Sequence, residues 1–81
     1  MSYFRLMKLP PRIEAKQDVM MGKPCIKGTR IPVYLMLQKM AAGESAEQLL
    51  DAYPQISPED LRACLEYAAA LAGEEVVLTE A

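Results

Sequence analysis

A chain of 81 residues is long enough for one domain, and domains of this size bury little more than about 60 % of the surface that the unfolded chain exposes, so the core must be small. With 52 % hydrophobic residues and a mean hydropathy of +0.02, a disordered or low-complexity chain is excluded. No apolar run approaches the roughly 18 residues that span a bilayer, and the N-terminus lacks a basic-then-apolar leader pattern, so the expectation is a cytoplasmic protein with no membrane partner.

The net charge of -2 conceals a division. Residues 1–40 carry eight Lys/Arg against two Asp/Glu, whereas residues 41–81 carry one Arg against nine Asp/Glu, so the halves stand at +6 and -8. Either each half offers a surface of its own sign, or the two neutralise one another within the fold. The apolar content exceeds what one small core hides, which predicts a homodimer.

Along the chain, residues 1–11 form an N-terminal arm that mixes Tyr3, Phe4, Leu6 and Leu9 with Arg5 and Lys8 and stops at Pro10-Pro11, where neither a helix nor a central strand continues. Residues 12–73 read as the folded domain. In its first stretch Ile13 and Ala15 alternate with Glu14 and Lys16, the period of a short half-buried strand. Residues 22–33 place apolar pairs on either side of Gly28, with Pro24 and Pro32 near the ends. That pattern predicts a tight, edge-like hairpin in which Gly22 and Gly28 define turns through positive φ.

Helical spacing begins at once. Val33, Met36, Leu37, Met40 and Ala41 form one face of a first helix over 33–42, which Gly43 ends as a left-handed cap. Ser45 and Gln48 make a capping box for a second helix over 45–53, with Ala46, Leu49, Leu50 and Tyr53 inward and Pro54 as its limit. Ser57-Pro58-Glu59-Asp60 combines an N-cap serine, proline at the first helical position and two acids at the positive dipole end, opening a third helix over 58–72. Its predicted inner face is Leu61, Cys64, Leu65, Ala68 and Ala72, with Leu71 beside it and Gly73 as the stop. The acidic tail, 74–81, holds Val76-Val77-Leu78 between acids. The fold class is therefore mainly α: a three-helix, helix-turn-helix type bundle behind a short N-terminal β element.

Candidate chemistry is sparse. There is no histidine, no nucleophile elbow and no phosphate-cradling glycine loop, so the expectation is a protein without catalytic residues, metal or cofactor. Cys25 and Cys64 lack zinc-site spacing and read as small buried hydrophobes. Asp18 beside Glu14, and Glu59 with Asp60, read as solvated or capping acids rather than metal ligands.

From Ser45 to Ala72 five acids face one base, Arg62, a surface that duplex DNA repels. Candidate nucleic-acid contacts are therefore Lys23, Lys27 and Arg30 of the hairpin, with Arg5, Lys8 and Arg12 from the arm as candidates to join them, together with Arg62 as the one base of the helical body; a two-stranded ribbon fits a major groove. The competing structural role for these cations, Arg30 above all, is pairing with the acidic helices. Tyr34 and Leu35 widen the apolar stripe of the first helix beyond one contact, and with Val76, Val77 and Leu78 they are the candidate partner-binding residues.

The string Gly22-Lys23-Pro24-Cys25-Ile26-Lys27-Gly28-Thr29-Arg30-Ile31-Pro32-Val33, followed by a helix, then Ala42-Gly43-Glu44-Ser45 and Leu49-Leu50-Asp51-Ala52-Tyr53-Pro54, resembles the family known as domain of unknown function 433. The resemblance runs over residues 12–72 and departs from the family habit at Gln17-Asp18, where Asp-Pro is usual. It implies a homeodomain-like helix-turn-helix fold and the antitoxin role of a toxin-antitoxin pair: neutralising a PIN-like ribonuclease by protein-protein contact, with autoregulation through DNA as a second activity. It carries over no catalytic residues. The alternatives are a stand-alone dimeric regulator of transcription and a dimeric adaptor that binds no DNA.

Overall fold

The computed structural model describes residues 9–73. Strand β1, Ile13–Glu14, and strand β2, Cys25–Ile26, precede helices α1, Val33–Ala41, α2, Ala46–Ala52, and α3, Pro58–Ala72. The class is mainly α, as the periodicity predicts. Helices α1 and α2 each pack on α3, which makes α3 the central support.

The strands are antiparallel, with Ile13 opposite Ile26 and Glu14 opposite Cys25. The predicted hairpin over 22–33 is present in reduced form. Its return arm contributes a single bridge, Pro32 to Cys25, and two backbone bonds, from Ile26 N–H to the Ile31 carbonyl (2.9 Å) and from Val33 N–H to the Pro24 carbonyl (3.0 Å). Proline at 32 offers no donor and α1 starts at the next residue, so the ladder cannot lengthen. At its tip Gly28 has φ +81°, and Thr29 Oγ1 both donates to the Ile26 carbonyl (2.8 Å) and accepts from Ile31 N–H (2.9 Å).

Between the strands the chain makes a left-handed turn in which Met20, Met21 and Gly22 have φ of 51°, 56° and 84°. Glycine adopts this region freely, but each methionine incurs about 1–2 kcal/mol of steric strain. Gly22 is thus a turn former as predicted; nothing in the local pattern signals that two methionines share its conformation.

Caps delimit the helices. Gly43, at φ +101°, closes α1 in a Schellman motif: its N–H donates to the Met40 carbonyl (3.0 Å) and Glu44 N–H to the Lys39 carbonyl (3.0 Å). Ser45 and Gln48 form the predicted reciprocal box, with Ser45 N–H on Gln48 Oε1 at 2.7 Å and Gln48 N–H on Ser45 Oγ at 3.1 Å. Ser57 and Asp60 form a second box on α3. Gly73 follows α3 with φ -85°, so that helix does not end in a left-handed cap.

The core gathers Ile13, Ile26, Ile31, Val33, Met36, Leu49, Ile56, Leu61, Ala63 and Cys64. The predicted faces of all three helices need correction. On α3, Leu65 is 51 % exposed and Leu71 46 % exposed, whereas Ala63 is buried, and Ala72 is exposed too. Ala63 and Leu65 flank the Leu61-Cys64 line on opposite sides, and the small alanine lets neighbouring backbone approach where leucine would hold it off. On α2 and α1, Ala46 and Ala41 are exposed, because each short helix turns few residues inward. Ile56, which the helical pattern omits, is buried; it precedes the N-cap Ser57 and stands to Leu61 as the two halves of a hydrophobic staple.

Asp60 joins the two parts of the domain. Its Oδ2 accepts from Ser57 N–H (2.9 Å) and its Oδ1 from Arg12 Nη1 (3.1 Å). Asp60→Ala should lower stability in urea by about 1–3 kcal/mol, because both the cap and the Arg12 contact are lost. Arg12→Ala should cost less than about 1 kcal/mol, since that side chain is half exposed. In contrast, Met21→Gly should raise the unfolding midpoint, with a gain of up to about 1 kcal/mol from relief of the positive φ.

Candidate binding surface

The hairpin is held from below by its own apolar side chains, Cys25, Ile26 and Ile31, all buried, and this turns its charged positions outward. Lys23, Lys27 and Arg30 are exposed. The ion pairs among the described residues are Arg12 with Asp60 (3.1 Å), Lys16 with Glu14 (3.8 Å) and Lys39 with Glu44 (3.6 Å). None involves a hairpin cation, so internal pairing of Arg30 does not occur among these residues. Lys23 Nζ instead lies 5.8 Å from the centre of the Tyr34 ring, within cation-π range.

The pairs also leave the acids of the helical body largely unspent. Asp60 alone of the α2 and α3 carboxylates is engaged among the described residues; Glu47 and Asp51 on α2 and Glu59 and Glu66 on α3 are exposed. Glu14 acts locally, accepting from the Gly28 N–H at 3.2 Å, which steadies the hairpin tip.

Arg62, on α3, and Lys23, before β2, line different depressions. Arg62 lines a small depression of about 220 Å³ with Pro10, Arg12, Glu59 and Glu66, where carboxylates one helical turn away on either side offset its charge. Of the hairpin, Lys27 N–H donates to the carbonyl of Arg12 (2.7 Å), which lines the same depression as Arg62. Arg5 and Lys8 lie outside the described residues.

The candidate partner-binding residues divide as well. Tyr34 is 44 % exposed, but Leu35 is half-buried and packed against the core, so α1 presents one of the pair outward. Val76, Val77 and Leu78 lie outside the described residues. Tyr34 borders an open groove of about 540 Å³ whose walls are Lys23 from the loop before β2, Val33 and Leu37 from α1, and Tyr67 and Leu71 from α3. No lining residue is acidic. The sequence pattern missed this feature because its walls come from three separate segments.

Both cysteines are free and buried. Burial, with the nearby Asp60 charge second, pushes the Cys64 thiol from 9.0 to about 11. Burial raises Cys25 too, with Glu14 adding to the shift and Arg30 opposing it. Both are thus poor nucleophiles and poor metal ligands at neutral pH. Among the described residues no three His, Cys, Asp or Glu side chains gather as metal ligands, and no helix is long and apolar enough to cross a membrane.

A two-stranded β element docked on three capped helices defines a class of small, mainly α domain, and comparison with known proteins assigns the family. The family model described as Protein of unknown function (DUF433) matches residues 13–68, and this chain belongs to that family. The chain is similar to the Uncharacterized protein y4eO of Sinorhizobium fredii (strain NBRC 101917 / NGR234), 38 % identical over 58 residues, covering 72 % of this chain and 26 % of that relative. It is also similar to the crystal structure of a DUF433 member protein from Anabaena variabilis ATCC 29413, with a TM-score of 0.70 and 30 % identity, covering 83 % of this chain and 64 % of the other. The chain therefore spans about a quarter of the first relative's length and under two thirds of the second's.

The raised thiol value of Cys64 sets a pH dependence. The folded state keeps its proton while the unfolded thiol ionises near 9.0, so this contribution to stability is complete below 9.0 and is lost as pH rises towards about 11. Urea midpoints should fall across that window, and Cys64→Ala should flatten the fall. At neutral pH both thiols should react with a disulfide reagent far more slowly in the folded chain than in urea.

Proposed function

We propose that this chain is a non-catalytic, antitoxin-like binding protein that neutralises a PIN-like ribonuclease by protein-protein contact and uses its hairpin cations for a secondary contact with DNA. The observation that carries the reading is the separation of unspent charge. Exposed Glu47, Asp51, Glu59 and Glu66 leave the helical body anionic, and exposed Lys23, Lys27 and Arg30 leave the hairpin cationic. An anionic protein surface complements the basic surface with which a ribonuclease holds its RNA, and it steers the encounter. The family resemblance points the same way. Action by a cytoplasmic homodimer, with Tyr34 near the contact, is part of the proposal.

Co-expression with the product of the neighbouring gene tests it. A stable complex and rescue from toxicity are expected, and reversing Glu47, Asp51, Glu59 and Glu66 to Lys should weaken the complex at least about tenfold by loss of charge complementarity. Absence of both complex and rescue removes the toxin reading. The uncovered hairpin cations favour one alternative, a stand-alone DNA-binding regulator. On that alternative, tight operator binding occurs without any protein partner, and each of Lys23→Ala, Lys27→Ala and Arg30→Ala lowers the salt slope by about 1.

A further inference from the structure

Met21 is the most exposed large apolar side chain among the described residues, at 89 %, and Met20 beside it is 37 % exposed. Both hold positive φ. Backbone bonds from Gly22 N–H to the Val19 carbonyl (3.0 Å) and from Lys23 N–H to the Met20 carbonyl (3.1 Å) fix the turn that carries them, so Met21 is a projection on a held loop. Within one chain its side chain gains little for the strain of its backbone, since almost all of it meets water. Two residues on, at most about 7 Å along extended chain, Lys23 begins the rim of the groove between α1 and α3. In that groove Tyr34 and Leu71 are each almost half exposed, Tyr67 is half-buried and no described lining residue is acidic.

We propose that this groove receives Met21 of a second copy of the chain, in a twofold dimer whose axis passes between projection and recess. The inference rests on the homodimer of the reading above and supplies its interface; it does not depend on a nuclease. In a twofold dimer one patch faces itself, so the patch must carry both a projection and the recess that takes it. Met21 and the groove rim at Lys23 stand side by side, which meets that condition. Their chemistry also fits: methionine is flexible and polarisable, and its thioether packs well against aromatic rings, which Tyr34 and Tyr67 provide. Charge fits as well. Asp18, three residues before Met21, and Lys23 are both exposed, and neither joins an ion pair among the described residues. As Met21 enters the second copy's groove, Asp18 is brought to the partner's Lys23, and the twofold axis makes the same pair again. A different protein would need its own apolar projection with an acid beside it; this chain carries both.

Sedimentation equilibrium of the full chain tests this. A reversible monomer-dimer equilibrium is expected. Met21→Asn, which keeps a residue tolerant of positive φ, and Leu71→Gln should each raise the dimer dissociation constant at least about tenfold, with far-UV circular dichroism unchanged. Lys23→Glu should weaken the dimer too, and adding Asp18→Lys should restore it, because the pair forms again with its signs exchanged. When chains labelled at methionine methyls are mixed with chains labelled at tyrosine rings, nuclear Overhauser cross-peaks are expected between the Met21 methyl and the Tyr67 ring. The higher unfolding midpoint expected of Met21→Gly belongs to the single chain and is read at dilutions where the dimer is dissociated. A dimer that Met21→Asn and Leu71→Gln leave intact, or that the charge exchange fails to restore, overturns this interface while the homodimer stands. A chain that stays monomeric, alone or with another protein in the groove, overturns both.

Discussion

One carboxylate holds the domain in register. Asp60 lies at the third position of α3 and uses both oxygens, one to cap its own helix through Ser57 N–H and the other to receive Arg12 from the residue before β1. The sheet it secures is only two residues long in each strand, and a pair of strands that short has no independent stability. Its position therefore depends on docking: Ile13, Ile26 and Ile31 enter the core with the helices, and the Arg12 contact fixes the edge that those apolar side chains leave free to slide. Everything carried by the hairpin inherits its orientation from this docking, with the Arg12 contact at its edge.

The same arrangement explains how, among the described residues, the hairpin cations and the outer acids of the helices stay unpaired with one another. Each ion pair among the described residues is either local in sequence, as with Lys16 and Glu14 or Lys39 and Glu44, or belongs to the junction itself. The hairpin places Cys25 and Ile26 in the core, which directs the flanking Lys23, Lys27 and Arg30 to solvent. The helices likewise present Glu47, Asp51, Glu59 and Glu66 on their outer sides. Burial of the apolar positions thus decides where charge can go, and long-range attraction between the halves is left to solvent screening. The proposed recognition without turnover rests on this separation.

A small core also has to leave apolar surface uncovered. Leu65, Leu71 and Tyr34 stay partly in water although their helices are well formed, because α3 already supports both α1 and α2 and, among the described residues, no further helix covers its remaining side. The left-handed turn at Met20 and Met21 is a related cost of compactness: the chain must reverse between β1 and β2 in few residues, and the local strain is offset by the strand and core contacts on either side.

The elements and their limits are written in the order of residues alone. Val33 as the start of α1, Gly43 as its left-handed stop, the Ser45-Gln48 box and the Ser57-Pro58 opening of α3 are all legible because caps and turns depend on residues within four positions of one another. Burial of Cys25 and Cys64 is legible too, as is the family, the latter from residues 22–33 and Tyr53-Pro54. It took the packed chain to reveal which side of α3 faces inward, that Leu35 turns to the core while Tyr34 does not, that Arg62 shares a depression with Arg12, Glu59 and Glu66, and that three segments enclose a groove. Helical periodicity leaves the choice between Ala63 and Leu65 open, since both border the same apolar line. That choice depends on how closely another element approaches, a distance set by residues far away in the chain.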